Sequence, residues 1–346
     1  MRLRSLSIKS KLVCGFFVLL LLVFLALRSV IYPLILKPAG GSENVKIKIE
    51  PTNTVSDVAS LLATKQVIRS SWIFVILARW QGVEGFPPGE YELRQGMGAS
   101  QVLNTLRQGP KIKEYVVTIP EGFTIEQITG RISTETGIDE VEFRRLTKTS
   151  AHSENFESYS FLSENSTETL EGYLFPKTYT ITEEHSAKDF IRIMLDQYQK
   201  ETAGFELPPF ARERNLNFHH LLTVASLIEN EAKIAEERPL ISAVIYNRLA
   251  KNMKLQSCAT VQYALAERKA KLSTEDLKVE SPYNTYLHSG LPPGPICNPG
   301  IVSIQAALNP APVNYLYYVL TGSGGRHAFT DSYQEFLEEK QKVKSP

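Results

Sequence analysis

Two glutamates one residue apart, Glu229 and Glu231, close an otherwise apolar run that passes through Val224, Ala225, Leu227 and Ile228. At helical spacing Val224, Leu227, Ile228, Ile234 and Ala235 share one stripe, and position 231 falls on it. Glu229 sits about 200° round the helix from Glu231. There it is expected to face water and to pair with Lys233 in the favourable Glu-to-Lys order. Glu231 is expected to be half-buried. A carboxyl in that setting has its charged form disfavoured and can hold a proton to donate, which is what a general acid does. Periodicity alone leaves a second reading open, in which Glu231 is a surface acid or the partner of an Arg or Lys elsewhere.

Few other groups compete for chemistry. His219 and His220 are adjacent and so do not share a helix face, and no HExxH pattern occurs. Gly322-Ser323-Gly324-Gly325 reads as a turn, not a nucleophile elbow, and there is no Walker or dinucleotide glycine pattern. The three cysteines form neither a CxxC nor a zinc spacing. Neither a metal nor a cofactor is expected. What accompanies the acid is a set of aromatic and amide loops: Ser281-Pro282-Tyr283-Asn284-Thr285-Tyr286, the proline-stiffened Leu291-Pro292-Pro293-Gly294-Pro295-Ile296, and Asn298-Pro299-Gly300. Aromatic faces and amides suit sugar rings, which offer CH patches and hydroxyls, and stiff loops lose little entropy on binding. A loop made rigid for folding alone would look the same.

These groups need a scaffold, and 346 residues are enough for two domains. Lys and Arg (38) balance Asp and Glu (37), so no bulk electrostatic case exists for nucleic acid. Arg2, Arg4, Lys9 and Lys11 precede an apolar stretch that starts at Leu12 and, counted through Arg28, ends at Leu36. That length spans a bilayer core, and the basic flank predicts a cytoplasmic N-terminus with everything after about residue 40 outside the inner leaflet. The run is long for a signal peptide and no small-x-small site follows it, so an uncleaved anchor is favoured. Val45, Ile47 and Ile49 alternate as in a strand, and Thr54 caps a helix through Thr64 with Asp57 at its third position. A helix over 71–80, a strand over 89–93 and a helix over 100–106 follow. Val116 to Ile132 repeats the strand, cap and helix loosely, with Thr124, Ile125 and Ile128 in place of Thr54, Val55 and Val58. Further on, a polar loop covers 150–169, a strand 179–181, helices about 187–200 and 218–235, a helix with Pro239 in its first turn, and a terminal strand 315–320.

The catalytic half resembles the YceG-like endolytic murein transglycosylases. The matching stretches are LEGYLFPKTYTI (170–181), ASLIENEA (225–232), the run from Glu237 to Leu249 ending in NRL, Leu255-Gln256, SPYNTY (281–286), GLPPGPI (290–296), NPG (298–300) and His327-x-Phe329. The resemblance implies an α+β chain in four parts. These are a basic cytoplasmic tail (1–11), a transmembrane anchor (12–36), a small LysM-like α/β module (45–115) that binds glycan, and a mixed α+β catalytic domain (116–346). The family's acid is the second glutamate of its short Glu-x-Glu motif, here Glu231, the residue that helical indexing selects independently. Substrate contacts are expected from Gln256, Tyr283, Asn284, Thr285, Tyr286 and Asn298. The implied partners are peptidoglycan strands, the cytoplasmic membrane and cell-wall synthases, with no nucleic acid.

Lysozyme-type hydrolysis needs two carboxylates, and beyond Glu231 the motifs suggest only the distant Glu171. The resemblance implies one acid: Glu231 protonates the glycosidic oxygen between N-acetylmuramic acid and N-acetylglucosamine, then deprotonates the muramic 6-hydroxyl, leaving a 1,6-anhydro end. A two-carboxylate muramidase and a non-catalytic glycan-binding scaffold are the alternatives. The chain departs from the family pattern at Lys177, where an Asp is usual, at Cys258-Ala259, where Asp and Pro are usual, and at Cys297 before the NPG turn. Cys258 and Cys297 are expected either to form a disulfide in an oxidising compartment or to remain free thiols.

Overall fold

The computed structural model describes residues 43–148, 155–265, 267–321 and 324–344, together with 18–23, 25 and 29. The expected anchor at 12–36 lies mostly outside these residues, and among the described residues no helix is long and apolar enough to cross a membrane. The chain divides into two compact units, Met1–Ile112 and Lys113–Pro346.

In the first unit β1 (Asn44–Ile49) is followed by α1 (Val55–Thr64), α2 (Ser71–Trp80), β2 (Gly89–Arg94) and α3 (Ala99–Gln108). β1 and β2 pair antiparallel with Ile47 opposite Tyr91, so the alternation read in the sequence puts Ile47, Ile49, Tyr91 and Leu93 on one buried face. Thr54 caps α1 as expected: its hydroxyl accepts from the Asp57 N–H, and the Asp57 carboxylate accepts from the Thr54 N–H. Val58, Leu62, Phe74, Leu103 and Leu106 complete the core.

The second unit begins with β3 (Glu114–Thr118) and continues through α4 (Ile125–Thr136) and α5 (Glu140–Lys148) to β4 (Thr178–Thr182). β3 and β4 pair antiparallel, with Val117 opposite Tyr179. Thr124 and Gln127 form a capping box on α4 like that on α1, so the local echo in the sequence is an echo of capped helix starts. There follow α6 (Ala187–Thr202), the short α7 (Pro209–Glu213), α8 (Phe218–Glu231), α9 (Arg238–Ala250), α10 (Cys258–Ala264), α11 (Ile301–Leu308), an antiparallel hairpin of β5 (Tyr317–Leu320) with β6 (His327–Thr330), and α12 (Tyr333–Lys344). The result is a mixed α+β chain whose strands form two-stranded ladders.

α8 organises this unit. Asn217 caps it by accepting from the His220 N–H. Every residue from Leu221 to Ile228 is buried, because α9, α10 and α11 pack round it. A helix enclosed on all sides has no solvated face, and this corrects the expectation for Glu229. The helix stops at Glu231, before Lys233 can take an i+4 position, and the Glu229 side chain is only 8% exposed. Its carboxylate accepts from the Arg238 guanidinium at 3.2 Å and from the Gly300 N–H at 3.0 Å.

Candidate active site

Glu231 is the last residue of α8. Ala232 has φ −77° and ψ 120°, an extended conformation that ends the helix. The Glu231 carboxyl thereby reaches a cavity of about 440 Å³ lined by Gln256 and Ser257 just before α10, by Cys258 at its start, by Tyr286, by Tyr317, Tyr318 and His327 of the hairpin, and by Tyr333 and Phe336 of α12. Among the described residues lining this cavity, Glu231 is the one carboxylate.

One hydroxyl holds that carboxylate and a second stands on the same cavity wall. Ser257 Oγ donates to Glu231 Oε1 at 2.5 Å, and the Tyr318 phenol lies close enough to feel the charge of Glu231. Burial, followed by the charge of Glu231, pushes the Tyr318 phenol well above the usual tyrosine range, so it stays a neutral donor. Ser257 is itself braced. Its N–H donates to Thr285 Oγ1 at 3.0 Å, its carbonyl accepts from Thr260 Oγ1 at 2.8 Å, and the two threonine hydroxyls are 2.9 Å apart. Just before it, Gln256 has φ 51°, a left-handed conformation that costs a non-glycine residue roughly 1–3 kcal/mol. The cost is met by contacts on either side, including the Gln256 N–H bond to the Thr285 carbonyl at 3.2 Å.

The opposite wall is tied down by α9. Arg248 donates to the carbonyls of Leu316 (2.6 Å) and Leu255 (2.8 Å), and its guanidinium lies 5.2 Å from the Tyr317 ring centre. Asn247 donates to the carbonyls of Val313 and Tyr315. His327 is bound to Glu237 twice, through its N–H at 3.0 Å and through Nδ1 at 2.7 Å. The Asn-Arg pair of the NRL run therefore fixes the hairpin that carries Tyr318, and Glu237 fixes its return strand.

Of the residues expected to contact substrate, Gln256 and Tyr286 line the cavity with Glu231. The others do not line it. Asn284 is buried, with Nδ2 spent on the carbonyls of Leu277 and Val279 and Oδ1 on the Tyr286 N–H. Thr285 is the buried brace of Ser257. Tyr283 packs on Tyr263 with ring centres 4.9 Å apart. Asn298 is fully enclosed. Its Nδ2 donates to the Phe123 carbonyl and to Glu171, and its Oδ1 accepts from the Gly172 and Leu174 N–H groups. Polar atoms with all their bonds made inside the protein have nothing left to offer a ligand. Ser257 and Tyr318 went unselected by sequence reasoning. Ser257 adjoined the Leu255-Gln256 match, and Tyr318 was one of several aromatic residues in a terminal strand.

Of the two alternatives expected for Cys258 and Cys297, the structure has the free thiols. Cys258 is exposed on the cavity, with Sγ 3.2 Å from the Tyr286 hydroxyl. Cys297 is buried, accepting from Asn230 Nδ2 at 2.9 Å and lying 3.5 Å from the Ser226 carbonyl. Lys177 pairs with Glu201 at 3.0 Å on the surface, away from the cavity lining.

A second cavity of about 530 Å³ is lined by Thr124, Glu171, Asn230, Ala259, Tyr263 and their neighbours. Asn230 precedes Glu231 and Ala259 follows Cys258, so the end of α8 and the start of α10 stand between the two hollows. Buried Glu171 accepts from the Ile125 N–H (3.1 and 3.2 Å), from Asn298 (2.8 Å) and from the Tyr263 hydroxyl (3.4 Å). Burial pushes its carboxyl up to about 8, against the pull of those donors.

The family model that describes YceG-like proteins matches residues 47–342, through both units and every residue lining the Glu231 cavity. The chain belongs to the YceG-like family. An endolytic murein transglycosylase of Bacillus subtilis is 35% identical over 311 residues, which are 86% of this chain and 84% of that protein. An endolytic murein transglycosylase of Streptococcus pneumoniae is 28% identical over 357 aligned positions, covering 92% of this chain and 63% of the longer relative. A solved YceG-like protein from Listeria monocytogenes superposes with a TM-score of 0.59 at 32% identity, covering 86% of this chain and 99% of that one. Membership of this family agrees with the resemblance read from the motifs.

Proposed function

We propose that this chain is a membrane-anchored endolytic lytic transglycosylase. It cleaves the bond between N-acetylmuramic acid and N-acetylglucosamine in peptidoglycan strands, leaves 1,6-anhydro ends, and uses Glu231 as its single general acid and base. The observation that carries the reading is a lone carboxylate, held by Ser257, in a cavity that also presents the rings of Tyr286, Tyr317, Tyr318, Tyr333 and Phe336. Aromatic walls present flat apolar faces to sugar rings, and the second hollow beyond Asn230 gives an extended polymer room on the other side of the ridge.

One acid suffices when the substrate brings its own nucleophile. Glu231 protonates the glycosidic oxygen as the bond breaks. The resulting carboxylate then takes the proton of the muramic 6-hydroxyl as that oxygen attacks the anomeric carbon of the same sugar. An intramolecular attack has a high effective concentration, so no second carboxylate is required to position a water. The Ser257 hydroxyl stabilises the carboxylate between its two proton transfers. Glu171 makes a poor second catalytic group, since its oxygens are occupied by the start of α4, Asn298 and Tyr263. The small N-terminal unit is proposed to hold glycan as a LysM-like module, with the segment 12–36 as anchor and cell-wall synthases as neighbours.

The test is mass spectrometry of the ends produced when the full chain in detergent acts on purified strands, wild type beside Glu231→Gln. Anhydro ends from the wild type alone support the assignment. Reducing ends would indicate a two-carboxylate muramidase, and strand binding with no new ends would leave a scaffold.

A further inference from the structure

α2 presents an apolar stripe to solvent. Trp72, Ile76 and Trp80 are 64%, 57% and 82% exposed, and at about 100° per residue they span one narrow strip of the helix. Arg79 falls on the same strip, and Arg69 stands just before the helix start. Neither makes an ion pair among the described residues. Glu84 is the one acid between residues 69 and 88. On the opposite face Phe74 and Ala78 are engaged in the core of the first unit, so the exposed strip is not a consequence of a loosely packed helix.

A convex helix face cannot enclose a sugar ring from two sides, as glycan sites in clefts do. It does suit a flat surface. Tryptophan prefers the boundary between lipid headgroups and acyl chains, and arginines beside it meet anionic headgroups. The chain supplies the proximity: seven residues, 37–43, separate the end of the apolar run at Leu36 from β1. Fully extended they reach roughly 25 Å, about the diameter of a unit this size.

We propose that this face of α2 rests on an anionic membrane surface, with Trp72, Ile76 and Trp80 seated in the interface and Arg69 and Arg79 on the headgroups. The proposal rests on the membrane-anchored reading. It adds a second contact that fixes the rotation of the small unit relative to the bilayer and so holds that unit close to the site of strand synthesis.

Trp72 and Trp80 are the only tryptophans in the chain, so intrinsic fluorescence reports on this face alone. The full chain would be reconstituted into phosphatidylcholine vesicles containing about 30% phosphatidylglycerol, a surface with the negative potential that basic residues seek. Trp72→Phe and Trp80→Phe variants leave one reporter each. The expected result is emission blue-shifted from that in detergent, quenched several-fold by lipids brominated near the top of the acyl chain, and protected from iodide. Arg79→Glu with Ile76→Ser should reverse those changes. Vesicle flotation separates the two readings. A chain that floats with vesicles while both tryptophans stay open to iodide and blind to bromolipid overturns the α2 contact and leaves the anchor standing. A chain that does not float overturns both. Protection from iodide without bromolipid quenching assigns the face to a protein or glycan and overturns the lipid proposal.

Discussion

Ser257→Ala is the substitution that most directly tests how the carboxylate of Glu231 is held. The Ser257 hydroxyl donates at 2.5 Å to Glu231 Oε1, while its backbone N–H is bonded separately to Thr285. Alanine removes the first bond and keeps the second, so the segment before α10 should stay in place. A hydrogen bond to a charged group contributes about 1.5–3 kcal/mol. If that amount is felt as the carboxylate forms during proton transfer, kcat falls roughly ten- to 150-fold. Gln256, Tyr286 and the other side chains that line the cavity are untouched, so KM should change little. The carboxyl itself is retained, so the loss should be smaller than in Glu231→Gln. The assay is the time course of anhydro-ended fragments by liquid chromatography and mass spectrometry at several strand concentrations, with thermal melting as a control. Ser257→Thr keeps the donor and should recover most of the rate. Turnover by Ser257→Ala within twofold of wild type, or an equal loss in Ser257→Ala and Ser257→Thr, would refute the reasoning.

Other consequences concern stability and access. Gly172 has φ +91°, and a Cβ there would meet the Pro295 ring at 2.5 Å and Leu222 at 3.2 Å. Gly172→Ala should cost about 2–6 kcal/mol in denaturant unfolding from strain and overpacking together, and a loss below about 1 kcal/mol would contradict the geometry. Glu171 is pushed up to about 8 in the folded protein from an ordinary value of 4.5. The folded state therefore keeps a proton that the unfolded chain releases, and this group's contribution to stability declines as pH rises from about 4.5 to about 8. Glu171→Gln should flatten that part of the melting-temperature profile, and an unchanged slope would count against it. In a Cys14→Ser background, maleimide should label Cys258 quickly and Cys297 slowly, since one thiol opens on the cavity and the other is buried. Labelling should stop cleavage, and Cys258→Ser should be resistant. Equal labelling rates, or full activity after labelling, would show that Cys258 does not border the working site.

Much of this protein is written locally. Capping boxes at Thr54 and Thr124 set where α1 and α4 begin, because a hydroxyl three residues before its backbone donor needs no distant partner. The alternation of Val45, Ile47 and Ile49 set which face of β1 is buried. The Glu-x-Glu motif and the family motifs singled out Glu231. The surroundings of that acid were not legible, because they come from contacts that cross long stretches of chain. Ser257 and Tyr318 lie 26 and 87 positions from Glu231, and nothing in their own neighbourhoods marks them as its partners. Helical periodicity also misplaced Glu229, since the method assumes one wet face and α8 has none. For the same reason Asn284, Thr285 and Asn298 looked like ligand groups in sequence. Only packing shows that their donors and acceptors are spent on the backbone and side chains of the wall. Residue type and short-range spacing determined the helix starts and the strand face, and singled out Glu231 as the candidate acid. The tertiary structure decided which polar groups remain free to act, because that depends on what the rest of the chain has already bonded.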